Sequence, residues 1–165
     1  MATIPDFRIR ELARNNGLIE PYNPEQLNPA SYDVTLGNKI LIETLHGWRE
    51  VDISIPGFMM APGAFVLGYT EEVVRIPNWL ECTFQLKSSR GREGYEHALA
   101  GYIDPGFTGQ VTLELTNLNR YNWLPLSAGM RIGQLRFMKM DEPPHRPYSL
   151  TGRYMNDSGP VPSKG

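Results

Sequence analysis

The sequence is poor in cysteine, in unbalanced charge and in long apolar runs. Cys82 stands alone and cannot form an internal disulfide, which fits a reducing compartment. With 16 Lys and Arg against 18 Asp and Glu the formal charge is -2, so nucleic acid is not expected as a partner. Charged residues interrupt the first ten positions, unlike a signal peptide, and no apolar run nears the roughly 20 residues that cross a bilayer. We therefore expect a cytoplasmic protein with neither a nucleic-acid nor a membrane partner.

The scarcity of cysteine also excludes one kind of metal site. Zinc-dependent base deaminases hold their metal with His and Cys ligands in an H-x-E and P-C-x-x-C arrangement. Here His46, His97 and His145 are dispersed, and none of them begins an H-x-E. A catalytic zinc of that kind cannot be built from this chain.

Glycine and proline, in contrast, are plentiful, with 16 Gly and 14 Pro spread through 165 residues. This distribution is typical of many short strands joined by turns. One segment has a helical period, because Ile9, Leu12 and Ala13 share a face and Gly17 follows as a cap. We predict an all-β fold with a short N-terminal helix and strands at residues 32–36, 39–44, 50–55, 64–69, 72–76, 80–86, 98–103, 110–116 and 129–138.

The length favours a single domain, and the composition divides it near residue 140. From Asp141 onward five prolines leave few apolar residues to bury. We therefore interpret residues 1–140 as one β domain and residues 141–165 as a C-terminal tail. Tyr148 and Tyr154 lie beside arginines in this tail, which favours docking on another surface over disorder.

Three stretches carry candidate chemistry. In a strand over residues 110–116, alternation places Glu114 on the face opposite the apolar residues, where it is a solvated carboxylate or, in an enclosed pocket, a general acid or base. Asp104 precedes Pro105 and either shapes a turn or accepts hydrogen bonds from sugar hydroxyls. Residues 87–94 combine hydroxyls, a glycine-containing turn and three cations, which suits a phosphate chain or a plain basic surface turn.

Taken in order, these stretches resemble a known family. The sequence resembles the dCTP deaminases of the dUTPase-like superfamily in four stretches: Ser88-Ser-Arg90, Gly101-Tyr-Ile-Asp-Pro-Gly-Phe-Thr-Gly109, Leu113-Glu-Leu-Thr-Asn117 and Gly129-Met-Arg-Ile-Gly-Gln-Leu135. The likeness covers residues 8–163, since it includes Asn28-Pro-Ala-Ser-Tyr-Asp-Val-Thr-Leu-Gly-Asn-Lys39, Leu67-Gly-Tyr-Thr-Glu-Glu72, Gly152-Arg-Tyr154 and Gly159-Pro-Val-Pro-Ser163.

The resemblance implies a fold, an assembly and a reaction. The fold would be a distorted jelly-roll or β-barrel, assembled as a homotrimer with each active site at a subunit boundary. The reaction would be hydrolytic deamination of dCTP to dUTP and ammonia, in the supply of deoxypyrimidine nucleotides, without a metal at the reacting carbon. Mg²⁺ would enter as a cofactor bound through the triphosphate.

The family's catalytic residues match four positions. Glu114 matches the glutamate that relays protons between water, the ring N3 and the leaving ammonia. Ser88 and the carbonyl of Ala100 match groups that position the water. Arg92 matches the arginine that orients the water and stabilises the developing charge.

The family's nucleotide contacts match further positions. Lys87, Ser89 and Gln134 fall where phosphates are bound, and Asp104 matches the aspartate that meets the 3′-hydroxyl of the deoxyribose. Apolar contact from Ile103 would exclude a ribose 2′-hydroxyl, although apolar pockets discriminate weakly against an added hydroxyl.

In the tail, the resemblance gives Tyr148 and Arg153 a role in closing over the nucleotide. Asp157 departs from the family, which usually has a phosphate-binding glutamine at this position. A carboxylate there would repel a triphosphate, so Asp157 is expected to face away or to act through Mg²⁺.

Several alternatives stay open beside dUTP release. A bifunctional enzyme would also hydrolyse dUTP to dUMP and diphosphate with a water activated near Asp104, and the Ile-Asp-Pro-Gly-Phe run occurs in such members. A plain dUTPase would need a Gly-rich C-terminal arm with an aromatic for uracil, which residues 141–165 do not contain. A CTP-accepting deaminase and a non-catalytic nucleotide-binding protein on the same fold are the remaining alternatives.

Overall fold

The structure is a computed structural model that describes residues 2–98 and 100–165. Its helices are short: α1 at Asp6–Asn16, α2 at Ser88–Glu93, α3 at Tyr148–Thr151 and a 3₁₀ turn at Pro24–Gln26. The strands are β1 Ala2–Thr3, β2 Ile19–Glu20, β3 Leu27–Asn28, β4 Ser31–Thr35, β5 Lys39–Thr44, β6 Gly47–Asp52, β7 Phe58–Met60, β8 Phe65–Arg75, β9 Leu80–Leu86, β10 Tyr95–Glu96, β11 Tyr102–Ile103, β12 Thr108–Asn117, β13 Leu124–Leu126 and β14 Arg131–Lys139. The predicted all-β class with a short N-terminal helix is confirmed.

The helix α1 forms where the apolar period predicts it. Ile9, Leu12 and Ala13 are buried on one face, and Asp6 lies in the first turn, where a negative charge is favourable. Gly17 ends the helix at φ +64°, and its N–H donates to the carbonyl of Leu12. This left-handed position favours glycine, because a Cβ atom would be strained there.

Two six-stranded antiparallel sheets form the framework. One has the order β11-β9-β14-β4-β3, with β1 also paired to β14, and the other has the order β10-β12-β8-β5-β6, with β2 also paired to β8. A separate ribbon joins β7 to β13. In the second sheet Glu114 of β12 lies opposite Leu67 of β8, and this pairing sets the position of the site.

Residues of both sheets contribute to one apolar core. Tyr32, Phe84 and Leu135 from the first sheet are buried in the same cluster as Leu113 and Leu115 from the second. Each fully buried aliphatic or aromatic side chain contributes about 1.5–3 kcal/mol. The alternation in β12 therefore places Leu113 and Leu115 in the core and leaves Glu114 on the opposite face.

Four local predictions are wrong. The predicted strands 64–69 and 72–76 form one strand, β8, because the Glu72 carboxylate is satisfied inside the fold by Gln26 Nε2 at 2.7 Å and the Thr35 N–H at 2.9 Å. Residues 88–93 form α2 rather than a turn, and the strand predicted at 50–55 begins earlier, at Gly47. The strand predicted at 98–103 is reduced to β11 among the described residues, and its residue 99 lies outside them.

The C-terminal segment, residues 141–165, contains α3 and otherwise irregular backbone. It does not fold away from the domain, since Tyr148 N–H donates to the carbonyl of Pro105 at 2.8 Å and Asn156 N–H to that of Thr108 at 2.7 Å. No helix among the described residues is long and apolar enough to cross a membrane.

Candidate functional site

A cavity of about 470 Å³ lies where β8 and β12 meet β11 and the C-terminal segment. Pockets for small molecules commonly have volumes of this order. Most of the residues in its wall are aromatic or polar, and the rest are aliphatic. The wall consists of Trp48, Phe65, Leu67, Ala100, Tyr102, Ile103, Asp104, Phe107, Gln110, Val111, Thr112, Glu114, Tyr148, Tyr154, Asp157, Val161 and Ser163.

Glu114 faces this cavity from the middle of β12. The alternation along the strand buries its neighbours Leu113 and Leu115 in the core and leaves Glu114 half-buried on the cavity side. Burial raises the pKa of the Glu114 carboxyl above its ordinary value of 4.5, and a hydrogen bond with its own backbone partly opposes this shift. A raised pKa makes a carboxyl better suited to accept a proton and return it within one reaction.

The turn that precedes β12 brings Ile103 and Asp104 to the same cavity. Ile103 is buried on β11 opposite Cys82, whereas Asp104 is exposed at the strand end. Phe107 continues the turn and packs its ring against Tyr148, with 5.7 Å between centroids. The run from Ile103 to Phe107 thus joins the cavity wall to the C-terminal segment.

Gly106 shows why this turn requires glycine. Its φ is +87°, and a Cβ atom built there would lie 3.1 Å from Pro147 Cβ and 3.2 Å from the amide nitrogen of Ser149. Both the backbone conformation and the close approach of the C-terminal segment therefore disfavour a side chain.

The C-terminal segment continues along the edge of β12. Gln110 N–H donates to the carbonyl of Asp157 at 3.1 Å, Gly159 N–H donates to Gln110 Oε1 at 2.8 Å, and Val161 N–H donates to Thr112 Oγ1 at 3.3 Å. These bonds hold the segment beside the cavity, where Asp157 and Val161 contribute to its wall.

Six of the twelve predicted site residues lie outside this cavity. Lys87, Ser89, Gln134 and Arg153 do not line it, nor do Ser88 and Arg92 of α2. Ser88, Ser89, Arg92 and Arg153 are exposed. The six that the cavity brings together are Glu114, Ala100, Ile103, Asp104, Tyr148 and Asp157.

The Asn28–Lys39 stretch contacts two of the predicted residues that lie outside the cavity, Lys87 and Gln134. Asp33 on β4 has a side chain only 3% exposed, and it accepts hydrogen bonds from Lys87 Nζ and, at 2.8 Å, from Asn28 Nδ2. Ser31 Oγ–H donates to Gln134 Oε1 at 2.7 Å. The stretch therefore holds Lys87, which directly follows β9, and Gln134 of the neighbouring strand β14 at the end of the first sheet.

Sequence reasoning did not single out several wall residues. Trp48 on β6 and Phe65 on β8 pack together with 6.0 Å between ring centroids, and no motif surrounds either of them. For Tyr154 the sequence indicated only an aromatic residue beside an arginine in a Pro-rich segment, and it predicted no role in the site. Val161 and Ser163 carry no chemical signal, since they reach the cavity through the path of the backbone.

Known proteins are similar to this chain along most of its length. A family model described as dCTP deaminase-like matches residues 3–140. A protein of Thermobifida fusca named dCTP deaminase, dUMP-forming, is 38% identical over 164 residues, which cover 88% of this chain and 83% of that protein. A protein of Coprothermobacter proteolyticus with the same name is 39% identical over 174 residues, which cover 95% of this chain and 92% of that protein.

Among solved structures, the 2′-deoxycytidine 5′-triphosphate deaminase from Agrobacterium tumefaciens has the same fold. It matches with a TM-score of 0.70 at 24% identity, over 82% of this chain and 48% of the other. This chain thus spans about half the length of that solved chain.

Proposed function

The chain belongs to the dCTP deaminase-like family, and we propose that it converts dCTP to dUMP in two hydrolytic steps. The first step consumes water and releases ammonia to give dUTP, and the second consumes water and releases diphosphate to give dUMP. The names of two curated relatives at 38% and 39% identity support the dUMP-forming reaction over release of dUTP.

The observation that carries this proposal is the presence of Glu114 and Asp104 in one cavity. The two carboxylates have different environments, because Glu114 is half-buried on β12 and Asp104 is exposed at the end of β11. Two carboxylates in different surroundings suit two different proton-transfer tasks.

In the deamination step, Glu114 takes a proton from the attacking water and delivers it to the ring N3, and then takes the second proton from the hydroxyl formed at C4 and delivers it to the leaving amino group. The bond formed joins the water oxygen to C4, and the bond broken joins C4 to the amino nitrogen. The raised pKa of Glu114 supports this dual role. Two groups would position the water. The carbonyl of Ala100, on the same cavity wall, would accept a hydrogen bond from it, and the Ser88 hydroxyl would form a second hydrogen bond with it.

In the second step, Asp104 would activate a water that cleaves the linkage between the α- and β-phosphates. Its exposure directly after β11 supports this role, because the phosphates of a nucleotide whose base faces Glu114 would extend toward solvent. The described residues contain no group of three or more His, Cys, Asp or Glu side chains suited to a metal ion. Mg²⁺ would therefore be bound through the triphosphate, whose charge it partly neutralises.

We assign five of the six predicted residues outside the cavity to a second copy of the chain. Ser88 and Arg92 are exposed on α2 and do not reach the cavity of their own chain. In a closed homotrimer each copy presents the same two surfaces, so α2 of one subunit can complete the cavity of the next. This arrangement would supply Arg92 to the reacting base and Lys87, Ser89 and Gln134 to the phosphates.

Product analysis tests the reaction. The protein is incubated with dCTP and Mg²⁺, and ammonia, dUTP, dUMP and diphosphate are quantified over time. Equal amounts of ammonia and diphosphate are expected. Ammonia with accumulating dUTP and no diphosphate would contradict the second step, and the absence of both products would overturn the proposal.

Subunit mixing tests the shared site. Glu114→Gln and Arg92→Ala chains, each inactive alone, are unfolded together in equal amounts and refolded. If each site takes Glu114 from one subunit and Arg92 from the next, about a quarter of the sites are intact in random assemblies. No recovery of ammonia release in refolded mixed oligomers would contradict a site shared in this way.

A further inference from the structure

The charge of the cavity is out of keeping with a nucleotide triphosphate. Asp104, Glu114 and Asp157 all line it, and no Lys or Arg is among the described residues of its wall. An unpaired carboxylate near the phosphates would repel them, and the repulsion would increase with each added phosphate charge. Asp157 is the carboxylate that the family resemblance does not explain.

Lys164 contacts Asp157 directly. Its Nζ lies 2.8 Å from Asp157 Oδ1 and 2.7 Å from Oδ2, and it also donates to the carbonyl of Arg153 at 2.9 Å. The ammonium stands over the Tyr154 ring, 4.9 Å from its centroid. Isolated surface ion pairs contribute little, but here one ammonium is held by three groups of the same segment: the Asp157 carboxylate, the Arg153 carbonyl and the Tyr154 ring.

The backbone of Lys164 strengthens this arrangement. Its N–H donates to Tyr154 Oη at 3.1 Å, so both ends of the residue contact the segment that includes Arg153, Tyr154 and Asp157. Tyr154 and Asp157 themselves line the cavity. Lys164 does not line it, and therefore acts on the cavity through these two residues.

We propose that Lys164 is a positioning residue that neutralises Asp157 and so allows the cavity to accept the phosphates of a deoxycytidine nucleotide. This inference rests on the proposed function for the identity of the ligand. It assigns Asp157 no contact with Mg²⁺, because both carboxylate oxygens are held by Lys164.

Calorimetric binding of dCMP, dCDP and dCTP tests the proposal. All proteins carry Glu114→Gln to prevent turnover, and Mg²⁺ is held constant. Lys164→Met should weaken dCTP binding about tenfold and dCMP binding about twofold, because the exposed Asp157 charge repels the longer phosphate chain more strongly. Lys164→Arg, which keeps the charge, should bind all three ligands within about twofold of the unchanged residue.

The double variant Lys164→Met/Asp157→Asn separates charge from closure. If Lys164 acts by neutralising Asp157, removing both charges restores dCTP binding to within about twofold. If Lys164 only ties the segment in place, the double variant binds as weakly as Lys164→Met, and the proposal is overturned. Lys139→Met, at an exposed lysine near the end of β14, is the matched control and should bind all three ligands normally.

Two further outcomes would overturn the inference. A loss of dCTP binding in Asp157→Asn that disappears without Mg²⁺ would place Asp157 on the metal instead of on Lys164. If no nucleotide binds even when Lys164 is unchanged, the proposed function and this inference both fall. Normal binding of all nucleotides by Lys164→Met would remove the inference alone.

Discussion

Replacing Glu114 with glutamine removes an ionisable group and preserves nearly the same shape on β12. General acid–base catalysis contributes about 10²- to 10⁴-fold, which corresponds to about 2.7–5.5 kcal/mol at 1.36 kcal/mol for each factor of ten. The structure favours the upper part of this range, because the other two carboxylates of the wall differ in environment: Asp104 is exposed and Asp157 is paired with Lys164. Neither is placed to take over the task.

The assay is ammonia release from dCTP with Mg²⁺, at saturating substrate. Glu43→Gln is the matched control, since Glu43 is an exposed residue of β5 in the same sheet and loses the same charge. We expect the control to retain full activity and Glu114→Gln to retain less than about one part in a hundred. A Glu114→Gln enzyme with a tenth or more of the normal rate would refute the role given to this carboxyl.

The same variant also tests the raised pKa. Since burial raises the pKa of Glu114 in the folded chain, the folded state binds the proton more tightly than the unfolded state, and stability falls as pH rises through the folded-state value. Glu114→Gln should therefore melt higher than the unchanged chain at pH 8, and the two melting temperatures should converge below about pH 4. A lower melting temperature for Glu114→Gln at pH 8 would show that the charged form is stabilised instead.

Three substitutions test the surroundings of the site by chemical unfolding. Phe107→Ala removes a buried ring packed on Tyr148 and should lower the free energy of unfolding by about 3–5 kcal/mol; a loss below 1 kcal/mol would contradict this packing role. Lys87→Met removes the hydrogen-bonded cation of the buried Asp33 and leaves only Arg131, 3.9 Å away; it should cost about 1–3 kcal/mol, with recovery when Asp33→Asn is added. Gly106→Ala should cost about 1–2 kcal/mol, because φ is +87°, and should raise KM for dCTP by displacing the C-terminal segment; an unchanged KM would argue against closure by that segment.

The strand framework could be predicted where apolar residues alternate between clear turn signals. The predicted ranges 39–44 and 80–86 coincide with β5 and β9, because Gly37-Asn38 and Pro77-Asn78 precede them. The prediction failed at Thr70-Glu71, where a break between two strands was expected and β8 instead continues. Only the fold shows that Glu72 is satisfied by Gln26 and Thr35, which lie 46 and 37 residues away.

The candidate site could be predicted only in part from local sequence. Alternation within β12 identifies the face that carries Glu114, because that information lies within seven residues. It cannot show that Trp48 reaches the same cavity, since Trp48 is placed there by the pairing of β5 with both β6 and β8. Nor does any local pattern indicate that Lys164 pairs with Asp157, because this contact depends on the path of the C-terminal segment along β12.

Although the net charge of the chain is near neutral, its acidic and basic side chains lie on different surfaces around the site, and this separation constrains how a nucleotide can bind. The cavity wall carries three carboxylates and, among the described residues, no Lys or Arg, whereas Lys87, Arg90 and Arg92 lie together in and before α2. A triphosphate is stabilised by cations, and a neutral base is favoured by an aromatic wall. Under the proposed function the base therefore lies in the cavity beside Glu114, and the phosphates pass the Asp157–Lys164 pair and extend toward a cationic surface. Because no residue of α2 lines the cavity of its own chain, the proposed function assigns that surface to a second copy.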